Sequence, residues 1–146
     1  MSQKCVLKIV KYASTDYDAV INLRYKILRK PLGLIFSKND LIGDKDEIIV
    51  AMFEQNKALA CVQMQVQHNN TIKFRQMAVD NHLQRQGLGT KLLIFAEKIA
   101  HEKHFDKIIL HARKTAVPFY QKLGYTVVGK EFVEVKTPHL LMTKSV

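Results

Sequence analysis

The sequence predicts an α+β fold built on a mixed sheet, and three observations predict it. Early apolar stretches alternate with period two and are separated by short polar turns, the pattern of antiparallel hairpins. Later, a long amphipathic helical stripe lies between two apolar strands, as in the crossover that joins parallel strands. Finally, the 146 residues are 47% apolar and their apolar side chains run the whole length of the chain. A chain of that size buries about two-thirds of the surface it exposes when unfolded, so residues 1–146 are expected to form one domain.

The elements follow in order. Val6-Leu7-Lys8-Ile9-Val10 reads as a first strand. Val20, Leu23, Ile27 and Leu28 recur at helical spacing, and Pro31 and Gly33 supply the stop. The polar stretch from Ser37 to Asp46 has room for a short helix around Asn39 to Ile42; it carries Asp40, Asp44 and Asp46, with Glu47 just beyond. Ile48 to Phe53 is a strand, Glu54-Gln55-Asn56-Lys57 a turn, and Ala58 to Gln67 a second strand. In this strand Val62, Met64 and Val66 alternate with Gln63, Gln65 and Gln67. After His68-Asn69-Asn70, Thr71 to Val79 forms the next strand, and there the phase slips. Ile72 and Phe74 share one parity, Met77 and Val79 the other. Either a β-bulge exchanges the two faces, or the strand is buried on both.

Leu88, Leu92, Ala96, Ile99 and Ala100 then form one helical stripe. Ile108-Ile109-Leu110 is a short buried strand. Thr115 to Leu123 is a second helix with Pro118 in its first turn and Gly124 as its stop. Strands at Tyr125 to Val128 and Leu140 to Thr143 complete the fold.

Charge and cysteine content narrow the function classes. Lys and Arg total 23 against 13 Asp and Glu, a net charge of +10. That balance suits nucleic acid, a polyanionic small molecule or simply a soluble surface. The basic residues form no long block and no RNA-binding aromatic signature accompanies them, so no nucleic-acid partner is expected. Charges interrupt every apolar run well before the roughly 20 residues that a membrane helix needs. Met1-Ser2-Gln3-Lys4-Cys5 lacks a signal peptide's apolar core. The two cysteines, Cys5 and Cys61, are far apart, and the six histidines show no ligand spacing. The expectation is a cytoplasmic protein without a disulfide scaffold or a metal.

Two segments carry chemistry. Gln84-Arg85-Gln86-Gly87-Leu88-Gly89 joins a strand to the long helix. Glycines let a ligand approach the backbone, and a helix N-terminus offers unpaired N–H groups to anions. The segment lacks the spacing of a P-loop, and Leu92 stands where a dinucleotide fingerprint would have its third glycine. Alone, the two glycines also fit a plain flexible turn. The second segment, His111 to Tyr125, places Phe119-Tyr120 on a short helix, which by itself is as compatible with core packing as with a site.

In this order and about thirty residues apart, the two segments resemble the GNAT superfamily of acetyl-CoA-dependent N-acetyltransferases. Gln84 to Gly89 matches its Q/R-x-x-G-x-G/A signature, and Ala112 to Tyr125 is similar to its Ala-x-x-x-Ala-x-x-Phe-Tyr-x-Lys-Leu-Gly-aromatic signature. The resemblance runs from about Cys5 to the C-terminus. It implies a twisted, mostly antiparallel sheet of six to seven strands, about four flanking helices and one splayed parallel pair. It further implies that Met77, Ala78 and Val79 pair with the pantetheine arm of acetyl-CoA. Gln84, Arg85, Gln86, Gly87, Leu88, Gly89 and Thr90 would wrap its pyrophosphate. Arg113 and Lys122 would serve its phosphates, with Arg85, Lys91 and Lys114 as further charge candidates. Tyr120 stands at the family's general-acid position.

The base that accepts the amine's proton stays open among His111, Glu47, Glu54 and a water chain near Gln76. The acceptor expected is a primary amine of a small molecule or peptide. The acidic run Asp40, Asp44, Asp46 and Glu47 would suit a cationic one, or is a solvated loop, while Arg24 or Arg29 would suit a substrate carboxylate. Transfer to protein lysine or an N-terminus, use of a longer acyl group and a non-catalytic coenzyme A-binding module are the alternatives. A homodimer is also left open.

Overall fold

The computed structural model describes residues 5–84 and 86–146. In chain order the elements are β1 (Val6–Val10), α1 (Thr15–Arg24), α2 (Lys38–Ile42), β2 (Ile48–Glu54), β3 (Lys57–Val66) and β4 (Thr71–Val79). They continue with α3 (Leu88–Glu102), β5 (Lys107–Arg113), α4 (Val117–Lys122), β6 (Thr126–Glu134) and β7 (Thr137–Ser145). Seven strands form one sheet in the order β1-β2-β3-β4-β5-β7-β6. Every neighbouring pair is antiparallel except β4–β5, which α3 joins as a crossover. Among the described residues no helix is long and apolar enough to cross a membrane.

Apolar clusters cover both faces of the sheet. On one face Val50, Val62, Met64, Ile72, Phe74, Ile108 and Leu110 pack with Leu92, Leu93 and Ala96 of α3. On the other, Ile49, Ala51, Phe53 and Cys61 pack with Val20 and Leu23 of α1. This division explains why β2 is continuously apolar: its odd and even residues enter different cores, as expected of a strand covered on both faces.

The phase slip in β4 is a bulge. Cys61 of β3 lies opposite Ala78, yet Gln63 lies opposite Arg75. Gln76 and Met77 together therefore face the single residue Val62, and Gln76 takes a φ of 55°. Before the bulge Ile72 and Phe74 point into the α3 core. After it Met77 and Val79 take over that face and Ala78 turns to the α1 side. Faces are exchanged by one extra residue, which decides against burial of the whole strand on both sides.

Three local departures from the sequence reading have physical causes. The helix after β1 does not run on in α geometry: Tyr25–Arg29 widens to a π-helical turn, and Lys30–Leu32 is a 3-10 turn closed by Gly33 at φ 68°. The helix expected from Thr115 begins as a 3-10 turn over Lys114–Ala116, since the Pro118 ring suits only the first turn of α4. β6 and β7 extend beyond the expected ends and meet in a two-residue hairpin. Val135 and Lys136 there have φ of 47° and 62°, the left-handed pair that a tight hairpin requires. Charged residues on the solvent side of that hairpin hide it from a hydrophobicity reading.

A buried polar network fastens α1 to the sheet. Arg24, fully buried, donates from Nη1 to Asp44 Oδ2 at 2.7 Å and to Gln63 Oε1 at 2.6 Å. Tyr17 Oη donates to the same Asp44 oxygen at 2.6 Å, and Gln63 Nε2 donates to Asp44 Oδ1 and Glu47 Oε1, each at 3.0 Å. Arg24 is thus committed to an internal carboxylate and is not a receptor for a substrate carboxylate. Asp44 and Glu47 are likewise neither a solvated loop nor a free acidic face. Nε and Nη2 of Arg24 find no hydrogen-bond partner among the described residues, and the guanidinium lies 4.8 Å from the Phe36 ring centroid.

Removing one partner of a buried ion pair leaves the other charge uncompensated and costs about 3–5 kcal/mol. Asp44→Ala should therefore lower the unfolding free energy by that amount, read as a lower urea midpoint with little change in the slope. A loss below about 1 kcal/mol would show that the network contributes little.

Candidate active site

The cleft forms where β4 and β5 part. Their parallel register runs from Thr71↔Lys107 to Phe74↔Leu110 and stops there, although β4 continues to Val79 and β5 to Arg113. The bulge at Gln76 lies just past the last paired residue, and a bulged strand bends and twists more sharply. The resulting cleft has a volume of about 730 Å³, in the range of small-molecule sites. Met77, Ala78, Val79, Gln84, Gly87, Gly89, Thr90, Arg113 and Tyr120 all line it.

Tyr120 reaches the gap from α4. Its hydroxyl donates to Met77 Sδ at 3.2 Å, and its ring packs edge-on against Phe119 and Tyr125 at 5.1 and 5.7 Å between centroids. Only 9% of the residue is exposed, and burial pushes the phenol up to about 12. A buried tyrosine ordinarily finds a hydrogen-bond acceptor; thioether sulfur is a weak one. The hydroxyl is therefore weakly satisfied, and both Tyr120 and Met77 line the cleft.

The start of α3 closes the outer end. Gly87 caps the helix at φ 81° without a side-chain hydrogen bond. The first N–H groups of such a helix have no partner in the helix itself and carry its positive dipole end. Gly89 sits at a close approach: a Cβ there would lie 3.2 Å from Met77 Cε and 3.3 Å from Phe119 Cζ, so those side chains would have to shift by a few tenths of an ångström. Gln84 Nε2 donates to the Val79 carbonyl at 3.0 Å, and Gln86 Nε2 to the His82 carbonyl at 3.2 Å. Both side chains fasten the loop to its surroundings.

Leu88 packs against the α3-side core and, like Gln86, is not among the lining residues. Arg85 lies outside the described residues. Arg113 Nη2 is 3.4 Å from the Leu28 carbonyl, bridging two walls of the cleft. Lys122 is exposed on α4 and does not line the cleft. Of the further charge candidates, Lys114 pairs with Glu131 at 2.9 Å, and Lys91 is an exposed residue of α3.

The inner half of the cleft is polar. The register sets His111 opposite Leu141 and Arg113 opposite His139, so odd-numbered residues of β5 and β7 share the face away from α3. His111 Nδ1 lies 3.0 Å from Glu134 Oε1, and His139 Nε2 lies 3.8 Å from Glu134 Oε2. His139 Nδ1 is 2.9 Å from the Thr137 carbonyl and must donate to it. If His111 donates from Nδ1 to Glu134, its Nε2 keeps a lone pair.

Glu47, by contrast, is engaged by Gln63, Gln65 and Arg75. Glu54 ends β2 opposite Lys57 and does not line the cleft. Glu134, His139 and Lys73 are site residues that the sequence reading misses. Lys73 shares a face with Arg75 by the two-residue period of β4, a local signal, whereas Glu134 and His139 join His111 and Arg113 only once the register is known. Among the described residues no group of three His, Cys, Asp or Glu side chains is arranged to hold a metal ion.

The arrangement supplies three chemical capacities. A slot bounded by unpaired strand edges can receive an extended chain through main-chain hydrogen bonds. A helix N-terminus at its mouth suits phosphates. A protonated phenol and an imidazole face the same cavity and can donate and accept protons.

Comparison with known proteins agrees with this geometry. The family profile described as acetyltransferase (GNAT) domain matches residues 37–146. "Probable N-acetyltransferase 14" of Xenopus tropicalis is 32% identical over 115 residues, which cover 75% of this chain and 55% of that protein. The Bacillus subtilis (strain 168) protein YyaT is 36% identical over 77 residues, covering 53% of this chain and 52% of its own length. The chain thus spans about half the length of these two relatives. A crystal structure of aminoglycoside 6'-N-acetyltransferase complexed with coenzyme A superimposes with a TM-score of 0.78 at 16% identity, covering 96% of each chain. At that identity the likeness concerns the fold alone. The sequence profile, the seven-stranded sheet and its one splayed parallel pair agree: the chain belongs to the GNAT family of N-acetyltransferases.

Proposed function

We propose that the chain transfers the acetyl group of acetyl-CoA to a primary amine by direct attack. The observation that carries this reading is the early end of the β4–β5 register, with Tyr120 lining the gap and its hydroxyl held on Met77. A pantetheine arm is extended and rich in amides, which suits the unpaired edge of β4 at Met77, Ala78 and Val79. The α3 N-terminus at Gly87, Gly89 and Thr90 would hold the pyrophosphate, with Arg113 as a charge partner. The same fold in the aminoglycoside enzyme is solved with coenzyme A, in keeping with that assignment.

In the reaction the amine nitrogen bonds to the thioester carbonyl carbon, and the carbon–sulfur bond breaks. The ammonium proton passes to His111 Nε2, which Glu134 orients through Nδ1. The leaving sulfur takes the Tyr120 proton. With its pKa near 12, Tyr120 enters the reaction protonated and donates as negative charge builds on sulfur. A resting phenolate would repel that charge instead. Holding both reactants in one cleft supplies proximity.

The direct test is acetyl-CoA in a thermal shift assay, followed by thiol release with an amine panel. Acetyl-CoA should raise the melting temperature while an oligonucleotide at physiological salt does not; the opposite outcome overturns the reading. Tyr120→Phe should lower turnover by about 10²-fold, the lower end of general acid–base contributions, and leave acetyl-CoA affinity within about twofold. Unchanged turnover removes the acid role. His111→Ala should lower kcat/KM by a similar factor, with partial rescue by added imidazole; undiminished activity would exclude it as the base. Gly87→Ala places a Cβ at φ 81°, costing roughly 1–2 kcal/mol, and should weaken acetyl-CoA binding through the displaced α3 N-terminus. Binding equal to that of the original protein would detach the helix start from phosphate recognition.

A further inference from the structure

Resting on the acetyl-transfer reading, we infer that the acceptor is an amine that also carries a carboxylate, and that Lys73 and Arg29 receive this carboxylate in the inner half of the cleft. Among the described residues four cationic side chains line the cleft, Arg29, Lys73, Arg75 and Arg113, against one carboxylate, Glu134. Arg75 is already neutralised by Glu47, and Arg113 is engaged by the Leu28 carbonyl and assigned above to the cofactor's phosphates. Lys73 and Arg29 take part in none of the ion pairs among the described residues. Arg29 lies 4.8 Å from the Phe36 ring centroid, which orients its guanidinium without neutralising it.

Lys73 is the more telling of the two. It is half-buried, and burial lowers its pKa, with Arg75 acting in the same direction and Glu134 and Glu47 only partly opposing it. A partly desolvated ammonium without a carboxylate partner is costly, and an anionic ligand would offset that cost. Its place fits the chemistry. Lys73 is in register with Ile109, one step before the pair at which β4 and β5 separate. His111 lies two residues beyond Ile109 on the same face of β5. A carboxylate held at Lys73 therefore directs the rest of the acceptor toward His111 and the slot.

A polyamine fits poorly. Its second ammonium would find only Glu134, whose two oxygens already face His111 and His139. Of the acidic run that suggested a cationic acceptor, Asp44 is spent on Arg24 and Tyr17, and Glu47 on Arg75 and two glutamines; Asp40, which caps α2 with Ser37, and Asp46 are exposed and do not line the cleft.

The experiment uses the purified chain with acetyl-CoA and pairs of acceptors, each an amino acid or ω-amino acid and its carboxamide, with spermidine as the cationic comparison. Thiol release is followed alongside acetyl-CoA binding by thermal shift. For the best pair the carboxylate form should have a kcat/KM at least tenfold above the carboxamide and above spermidine. Lys73→Met should reduce that ratio to within about threefold, while Lys73→Arg retains it. The inference is overturned if spermidine or the carboxamide equals the carboxylate form, if no carboxylate acceptor turns over although acetyl-CoA binds, or if Lys73→Met leaves the ratio intact. Acetyl transfer itself stands wherever some acceptor still turns over; if acetyl-CoA binds and no acceptor of any class reacts, this inference and the acetyl-transfer reading fall together. Failure of acetyl-CoA to bind overturns this inference together with the acetyl-transfer reading.

Discussion

One extra residue in β4 governs the shape of the cleft. Without Gln76 in its left-handed conformation, β4 would keep its parity, and Met77 and Val79 would face the α1 side. The strand would then have no local cause to leave β5. With the bulge, the two central strands separate after Phe74 and Leu110, and main-chain groups that would normally pair with each other are left to a ligand. An unpaired strand edge inside a protein is costly because each unpaired N–H or carbonyl there loses a hydrogen bond. The cleft is therefore a place where stability is given up for recognition.

The surroundings hold that geometry in place. Asp80, buried at the end of β4, accepts from Lys26 at 2.9 Å and lies 3.6 Å from the Lys57 ammonium. It thereby ties the splayed end to the turn after α1 and to the start of β3. On the opposite side Gly89 lets α3 approach Met77 and Phe119 closely, which keeps the helix start at the mouth of the slot. Tyr125 donates to Glu97 at 2.7 Å, and Lys144 donates to the other oxygen of Glu97 at 3.0 Å. These contacts lock α3, β6 and β7 together beneath Tyr120. Function and packing share residues here: Met77 and Phe119 are at once core contacts and walls of the site.

Much of this was legible in the sequence because it depends on local pattern. The β4 phase slip left a bulge or a strand buried on both faces, of which the register selects the bulge, and Gly87 and Gly89 marked the start of α3 as a phosphate cradle or a plain turn. Pro118 and Gly124 bounded the short helix that carries Tyr120. What stayed hidden depends on register between distant strands. Nothing local to Glu134 or His139 says that both lie beside His111, and nothing near Asp44 says that its partner is Arg24, twenty residues earlier. The acidic run was misleading for the same reason, since composition cannot distinguish a carboxylate facing solvent from one paired within the core. The β6–β7 hairpin was underestimated because Val135 occupies a left-handed position that β-branched residues rarely adopt.

Backbone hydrogen exchange across residues 71–83, with and without acetyl-CoA, probes the opened strand edge most directly. Ligand-induced protection concentrated at the amides of Met77 and Val79 is the outcome this account requires. Acetyl-CoA that binds while leaving those amides as exchangeable as before would contradict it, because the thioester carrier would then lie somewhere other than the gap between the two strands.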